Sequence, residues 1–132
     1  MTIELLTVST TPGLAEALHG YAGLQVSNLP SLTRVKSIVS SDQPPYAVYI
    51  EDTKGTLTEL WDVIRVAQGR QVHVLIGLQS VGLVHLSDFV DAGLPVSDAR
   101  DASTLADWIG AQLGVRKLAA AGQITIAIAG AK

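Results

Sequence analysis

The sequence predicts one α/β domain built on a doubly wound, parallel sheet of five strands. Strand and helix patterns alternate five times along residues 1–114, as they do in sheets assembled from βα units. The predicted strands are also continuous apolar runs, which a parallel sheet covered by helices on both faces requires. These two observations carry the prediction of the fold class.

Five apolar runs rich in β-branched and aromatic residues predict the strands. In chain order they cover residues 3–8, 24–26, 46–50, 72–78 and 94–97. A sixth apolar run at residues 124–132 has no helix pattern after it. We expect this extra C-terminal strand either to pair with a sheet edge or to continue into a further domain.

Each of the five strands is followed by apolar residues at helical spacing. The predicted helices start, in order, at Thr11, Ser31, Thr56, Leu83 and Asp101. The clearest start is the third, where Thr56 and Glu59 form a capping box. Gly69 ends that helix, and Gly114 ends the fifth. Five βα units with short connections favour the flavodoxin-like strand order 2-1-3-4-5.

The composition limits the classes of function. The 132 residues are 48% hydrophobic, yet no run approaches the roughly 18 to 20 apolar residues that cross a bilayer. No signal peptide opens the chain, so we expect a soluble, cytoplasmic protein. Cysteine is absent, which excludes disulfides and thiolate chemistry. The net charge is −3 with scattered cations, so nucleic acid is not an expected partner.

Residues 1–114 resemble a response-regulator receiver domain in layout, and residues 124–132 resemble the first strand of a ParA/MinD-type ATPase. In that superfamily the first strand enters a deviant Walker A loop that begins with a lysine and two glycines. Ile-Ala-Gly-Ala-Lys at 128–132 matches this pattern up to the lysine, Lys132. With residues 115–123 as a linker, the chain is similar to the TadZ/CpaE-like proteins that localise Flp-type pilus machinery.

The resemblance implies that ATP and Mg²⁺ belong to an ATPase domain beyond Lys132. The amides and the helix N-terminus that cradle phosphate would lie there as well. We therefore expect residues 1–132 to bind no cofactor and to have no enzymatic activity. The resemblance also implies a subcellular-positioning role, with recruitment to a membrane-associated or polar assembly.

The receiver pocket is altered in this sequence. Ser9 and Thr10 stand where the family has two acids that hold Mg²⁺, and neutral side chains bind that ion poorly. Glu51 is nearest the phosphoacceptor position and Asp52 follows it. Neighbouring strand residues point in opposite directions, so we expect only one of these acids to face the crevice. After the fourth strand, Ser80 supplies the hydroxyl.

The sequence therefore predicts a non-catalytic pseudo-receiver used for protein interaction, dimerisation or localisation. A glutamate at the acceptor position also suits a permanently fixed docking surface. Arg100 replaces the lysine that receivers place after the fifth strand, with a less compact charge. One alternative is a phosphorylatable receiver in signal transduction. Another is a flavodoxin-like cofactor module that binds phosphate through Ser9, Thr10 and Thr11 at a helix N-terminus.

The aromatic residues suggest where a partner binds. Trp61 lies on the flank of the apolar arc of the third helix, which indicates core packing. Trp108 lies off the apolar arc of the fifth helix, so we expect it to be exposed. The receiver resemblance implies a dimer or partner surface formed by helix 4, strand 5 and helix 5, and Leu86, Phe89 and Trp108 are our candidates for it.

The histidines do not suggest a metal site. His19, His73 and His85 fall on different elements without metal-ligand spacing. We expect all three to be structural or surface residues.

Overall fold

The computed structural model describes residues 2–80 and 85–118. Its strands are β1 (Ile3–Val8), β2 (Leu24–Asn28), β3 (Ala47–Glu51), β4 (His73–Gly77) and β5 (Val96–Ser97). They form one sheet in the order β2-β1-β3-β4-β5, and all four pairings are parallel. The predicted fold class and strand order are confirmed. The strand predicted at 124–132 lies outside the described residues, as does Lys132.

The helices cover both faces of the sheet. They are α1 (Leu14–Leu18), α2 (Leu32–Val39), α3 (Leu57–Gly69), α4 (Leu86–Asp91) and α5 (Ala102–Leu113). Buried residues of α1 and α5 pack on one face, whereas those of α2, α3 and α4 pack on the other. Among residues 2–80 and 85–118, no helix is long and apolar enough to span a bilayer.

The core lies on both sides of β3, whose five residues are all buried. Because side chains alternate along a strand, Val48 and Ile50 pack towards α2 and α3, while Ala47 and Tyr49 pack towards α1 and α5. The central strand of the sheet is therefore covered completely, and only its carboxyl end can contribute side chains to a site.

The predicted helix caps are mostly confirmed. The Thr56 hydroxyl accepts from the Glu59 amide and the Glu59 carboxylate accepts from the Thr56 amide, which completes the capping box. Ser31 and Asp101 likewise accept an amide hydrogen bond from the first turns of α2 and α5. Gly114 ends α5 with a φ of 70°, which favours glycine.

The predicted start of the first helix at Thr11 is wrong. α1 begins at Leu14, after Gly13 with a φ of 78°, and it has no side-chain cap. The Thr11 hydroxyl instead donates to Glu51. The hydroxyl that the local pattern predicted as a helix cap thus makes a long-range hydrogen bond to Glu51 instead.

Two element boundaries near β5 also differ from the predicted ones. Helix α4 starts at Leu86 rather than Leu83, and residues 81–84 lie outside the described part of the chain. Strand β5 starts at Val96 rather than at residue 94. Pro95 precedes it and has no amide hydrogen to offer to β4, although its carbonyl accepts from Ile76.

After α5 the chain makes backbone hydrogen bonds to the rest of the domain. The Ala22 amide donates to the Arg116 carbonyl (2.8 Å), and the Leu118 amide donates to the Gly20 carbonyl (2.6 Å). Val115 packs on the core between these residues and α5. Residues 115–118 of the predicted linker therefore bind the turn before β2, whereas 119–123 lie outside the described residues.

Candidate functional site

The Glu51 side chain is buried at the carboxyl end of β3, with 0% of its surface exposed. Ser9 Oγ, Thr11 Oγ1 and Tyr49 Oη donate to Glu51 Oε2 at 2.6, 2.7 and 3.1 Å. The Thr10 amide and Thr10 Oγ1 donate to Oε1 at 2.7 and 3.1 Å. Five donors thus surround a carboxylate that offers about four lone-pair sites.

This arrangement favours the ionised form of the carboxyl. Burial tends to raise the pKa of Glu51, but hydrogen bonds from Ser9, Thr11, Thr10 and Tyr49 outweigh it and hold the pKa below its ordinary value. The carboxylate connects the end of β3 to the loop between β1 and α1. Its chemistry is therefore that of a fixed internal anion.

Tyr49 reaches Glu51 from two residues earlier on the same strand, so both side chains lie on the same face of the sheet. Burial, followed by the nearby Glu51 charge, raises the pKa of the Tyr49 hydroxyl well above its ordinary value, so this group remains a hydrogen-bond donor. Gly77 leaves the space that the hydroxyl occupies, since a Cβ there would lie 2.0 Å from Tyr49 Oη. The buried tyrosine and this glycine belong to the same site.

Asp52 binds the neighbouring loop on the other side of β3. Its Oδ1 accepts from the amides of Gln79 (2.7 Å) and Ser80 (3.1 Å), and its Oδ2 accepts from Ser80 Oγ (2.6 Å). Gln79 Nε2 continues the network to the Ala99 carbonyl at 2.9 Å. Consecutive carboxylates therefore hold the β1–α1 loop and the β4–α4 loop separately.

The residues predicted to form the altered pocket do meet at this edge. Ser9 and Thr10 lie beside Glu51, and Ser80 lies beside Asp52. Arg100 is exposed and makes no hydrogen bond to either acid within the described residues. The hydroxyls of Ser9 and Thr10 act as donors to the Glu51 carboxylate.

Sequence reasoning missed two donors of this site. The sequence predicts Tyr49 only as part of a strand, and Thr11 as a helix cap or, in the cofactor alternative, as a phosphate donor, but not as a partner of Glu51. The period of two along β3 could have identified Tyr49, because residues two apart share a face. No local signal distinguishes a threonine that caps a helix from one that binds a distant carboxylate.

The histidines lie apart from this site. His19 is exposed, His73 lies tilted against Tyr46 with ring centroids 4.7 Å apart, and His85 meets the edge of Phe89 at 6.4 Å. In the part of the chain that the structure describes, no three His, Asp or Glu side chains are grouped as metal ligands.

The predicted docking residues divide into two kinds. Phe89 is wrong as a surface candidate, because it is 0% exposed and stacks on Trp61 with ring centroids 5.2 Å apart. Trp61 packs against the core as predicted. Trp108 is half-buried rather than exposed, since it also contacts the core. Leu86 is half-buried as well.

Leu86 and Trp108 line one groove along β5. Its volume is about 280 Å³. The lining residues are Leu78, Leu86, Val96, Ser97, Asp98 and Trp108. The groove has apolar walls and an acid at one end, while the Glu51 network lies at the carboxyl edge of the sheet.

These features define the class of the protein as a flavodoxin-like α/β domain with a carboxylate locked at the end of β3. No protein-family model and no curated protein matches the chain. The function proposed below is therefore inferred from the site and from the sequence resemblance.

Proposed function

We propose that this domain is a non-catalytic pseudo-receiver that serves as a docking or localisation module. The observation that supports this proposal is the complete burial of Glu51 among five hydrogen-bond contacts. A group that accepts phosphate needs an oxygen free to attack and space for the incoming phosphoryl group. Glu51 has neither, so its role is to hold the edge of the sheet in one arrangement.

The signalling alternative requires a phosphorylated carboxylate and a bound Mg²⁺. Ser9 and Thr10 provide no negative charge for the ion, and their hydroxyls already donate to Glu51. Asp52 is also occupied, by the Gln79 and Ser80 amides and the Ser80 hydroxyl. Phosphorylation would have to break one of these networks first.

The cofactor alternative requires free donors at the start of α1. A groove of about 190 Å³ lies there, and Ser9, Thr11, Gly13 and Glu16 are among its lining residues. The hydroxyls of Ser9 and Thr11 donate away to Glu51, and the carboxylates of Glu51 and Glu16 would repel a phosphate. These contacts argue against a flavin phosphate at this position.

The proposed setting of the domain comes from the sequence resemblance. We propose that it precedes a ParA/MinD-like ATPase in a TadZ/CpaE-type protein that positions pilus machinery. The coding sequence after Lys132 tests this directly, because a glycine pair and a P-loop should follow. Titration of residues 1–132 with ATP and Mg²⁺ should give no heat of binding, and micromolar affinity would favour the cofactor alternative instead.

The pseudo-receiver assignment is tested with phosphodonors. The domain is incubated with acetyl phosphate, or with beryllofluoride and Mg²⁺, and followed by intact mass and amide NMR spectra. A phosphorylatable receiver domain treated in parallel is the positive control. We expect no added mass and no shift of the Thr10 or Ser80 amide. A phosphoryl group on Glu51 or Asp52 would overturn the assignment.

A further inference from the structure

The groove along β5 lies between two helices on opposite faces of the sheet. β5 is an edge strand of two residues, both half-exposed. Leu86 of α4 lines the groove from one side and Trp108 of α5 from the other, while Leu78 is buried at its floor. Val90, one turn after Leu86, is 52% exposed, so the apolar surface continues outward along α4.

Acidic side chains surround this apolar surface. Residues 86–104 contain four exposed aspartates and one cation, Arg100. The aspartates are Asp88, Asp91, Asp98 and Asp101. By contrast, α2, α3 and the loops that flank them contain most of the cations, namely Arg34, Lys36, Lys54, Arg65 and Arg70. The charge of the chain is therefore distributed unevenly, with its excess acid near the β5 groove.

Two of these acids are placed to contact a ligand in the groove, and a third follows the exposed part of α4. Asp98 lines it directly. Asp101 caps α5 and precedes Trp108 by seven residues, about two helical turns, so it lies on the same stripe of the helix. Asp91 directly follows the exposed Val90 on α4.

We propose that the β5 groove binds a basic amphipathic segment of a partner protein. The inference rests on the proposed function, since it names the kind of partner that the docking module takes. Apolar side chains of the segment would pack between Leu86 and Trp108. Its Lys or Arg groups would pair with Asp98 and Asp101, and a cation over the indole of Trp108 adds a favourable interaction.

The same charges argue against a second copy of this chain as the occupant. A two-fold symmetric dimer brings the same patch of both protomers together. Asp98 and Asp101 of one copy would then approach the same acids of the other, with Arg100 as the cation between them in the sequence. Like charges across an interface cost binding energy, whereas a basic segment meets opposite charge at Asp98 and Asp101.

The test uses the 132-residue chain and a short helical peptide of leucine and lysine, with a leucine–glutamate peptide of the same pattern as its control. Binding is measured by titration calorimetry at low and high salt, and the Trp108 indole signal is followed by NMR. We expect only the basic peptide to bind, to shift the Trp108 signal and to weaken with salt.

Two variants locate the binding site. Trp108→Ala should weaken binding at least about tenfold if Trp108 is a central contact. The double variant Asp98→Asn/Asp101→Asn should weaken it about fivefold, because two exposed charge pairs are lost while asparagine still caps α5. Glu16→Gln/Asp42→Asn changes the net charge equally at exposed positions on other elements, and should leave binding unchanged. Thermal melting of every variant checks that the fold is intact.

Three outcomes overturn the inference. The first is that the basic peptide does not bind. The second is that both double variants weaken peptide binding equally. The third is that the wild type sediments as a dimer and that Asp98→Asn/Asp101→Asn strengthens this dimer. The dimer result would leave the docking-module assignment in place with a different occupant. Phosphorylation of Glu51 would instead remove that assignment, whatever the peptide does.

Discussion

The Tyr49 hydroxyl occupies the space that a side chain at Gly77 would need. A Cβ on Gly77 would lie 2.0 Å from Tyr49 Oη and 2.7 Å from its Cζ, far inside van der Waals contact. The same hydroxyl donates to Glu51, whose other partners are in the β1–α1 loop. The missing side chain at Gly77 on β4 thus allows Tyr49 on β3 to bind the buried carboxylate of Glu51.

Gly77→Ala should destabilise the protein by about 1 to 3 kcal/mol, because the new methyl group displaces the Tyr49 ring. Tyr49→Phe removes only the hydroxyl and should cost about 1 kcal/mol. In the double variant the two costs should not add, since phenylalanine has already lost the closest atom. Denaturant unfolding of the four proteins measures this coupling, and simple additivity would show that the two residues act independently.

Glu51→Gln should lower the free energy of unfolding by about 2 to 4 kcal/mol at pH 7, because an amide replaces the charged acceptor and places a donor among donors. The pKa of Glu51 in the folded protein lies below its ordinary value of 4.5, so its ionisation stabilises the fold above the unfolded-state pKa.

That contribution is lost as the pH falls through the folded-state pKa. The difference in stability between wild type and Glu51→Gln should therefore be constant near neutral pH and shrink below about pH 4.5. Chemical denaturation over this range measures it. A difference that grows on acidification would mean that the folded protein prefers protonated Glu51.

Asp52→Asn should loosen the β4–α4 loop without affecting the β1–α1 loop. The Gln79 and Ser80 amides lose a charged acceptor, whereas the Thr10 amide retains Glu51. Hydrogen exchange should become faster at residues 79 and 80 only. Glu51→Gln is the reciprocal control and should act at Thr10. Faster exchange in both loops of either variant would show that the two networks are coupled.

Phe89→Ala should destabilise the protein by about 3 to 5 kcal/mol, because it leaves a cavity next to Trp61. The adjacent Val90 is 52% exposed, and Val90→Ala should change stability by less than about 0.5 kcal/mol. Thermal or denaturant melts distinguish the two variants. Similar losses would indicate that Phe89 is not the residue of α4 that packs in the core.

Helix α4 shows that the apolar pattern of a short helix does not predict which of its residues are buried. Leu86, Phe89 and Val90 are all apolar, and a helix of six residues does not define one buried stripe from sequence. Its packing depends on Trp61, which belongs to α3. In α3 itself, a capping box and a closing glycine were enough to predict the start and the end of the helix.

The sequence by itself determined the order of the elements, the parallel sheet and most helix caps, because these depend on apolar periodicity and on groups a few residues apart. Only the tertiary structure decided what surrounds the carboxylate at the end of β3. Ser9 and Thr11 are 42 and 40 residues from Glu51 in the chain, and they become its donors because β1 and β3 are adjacent in the sheet. The hydroxyl of Thr11 could cap a helix or bind a buried anion, and a hydrogen bond to an ionised carboxylate is the stronger of the two.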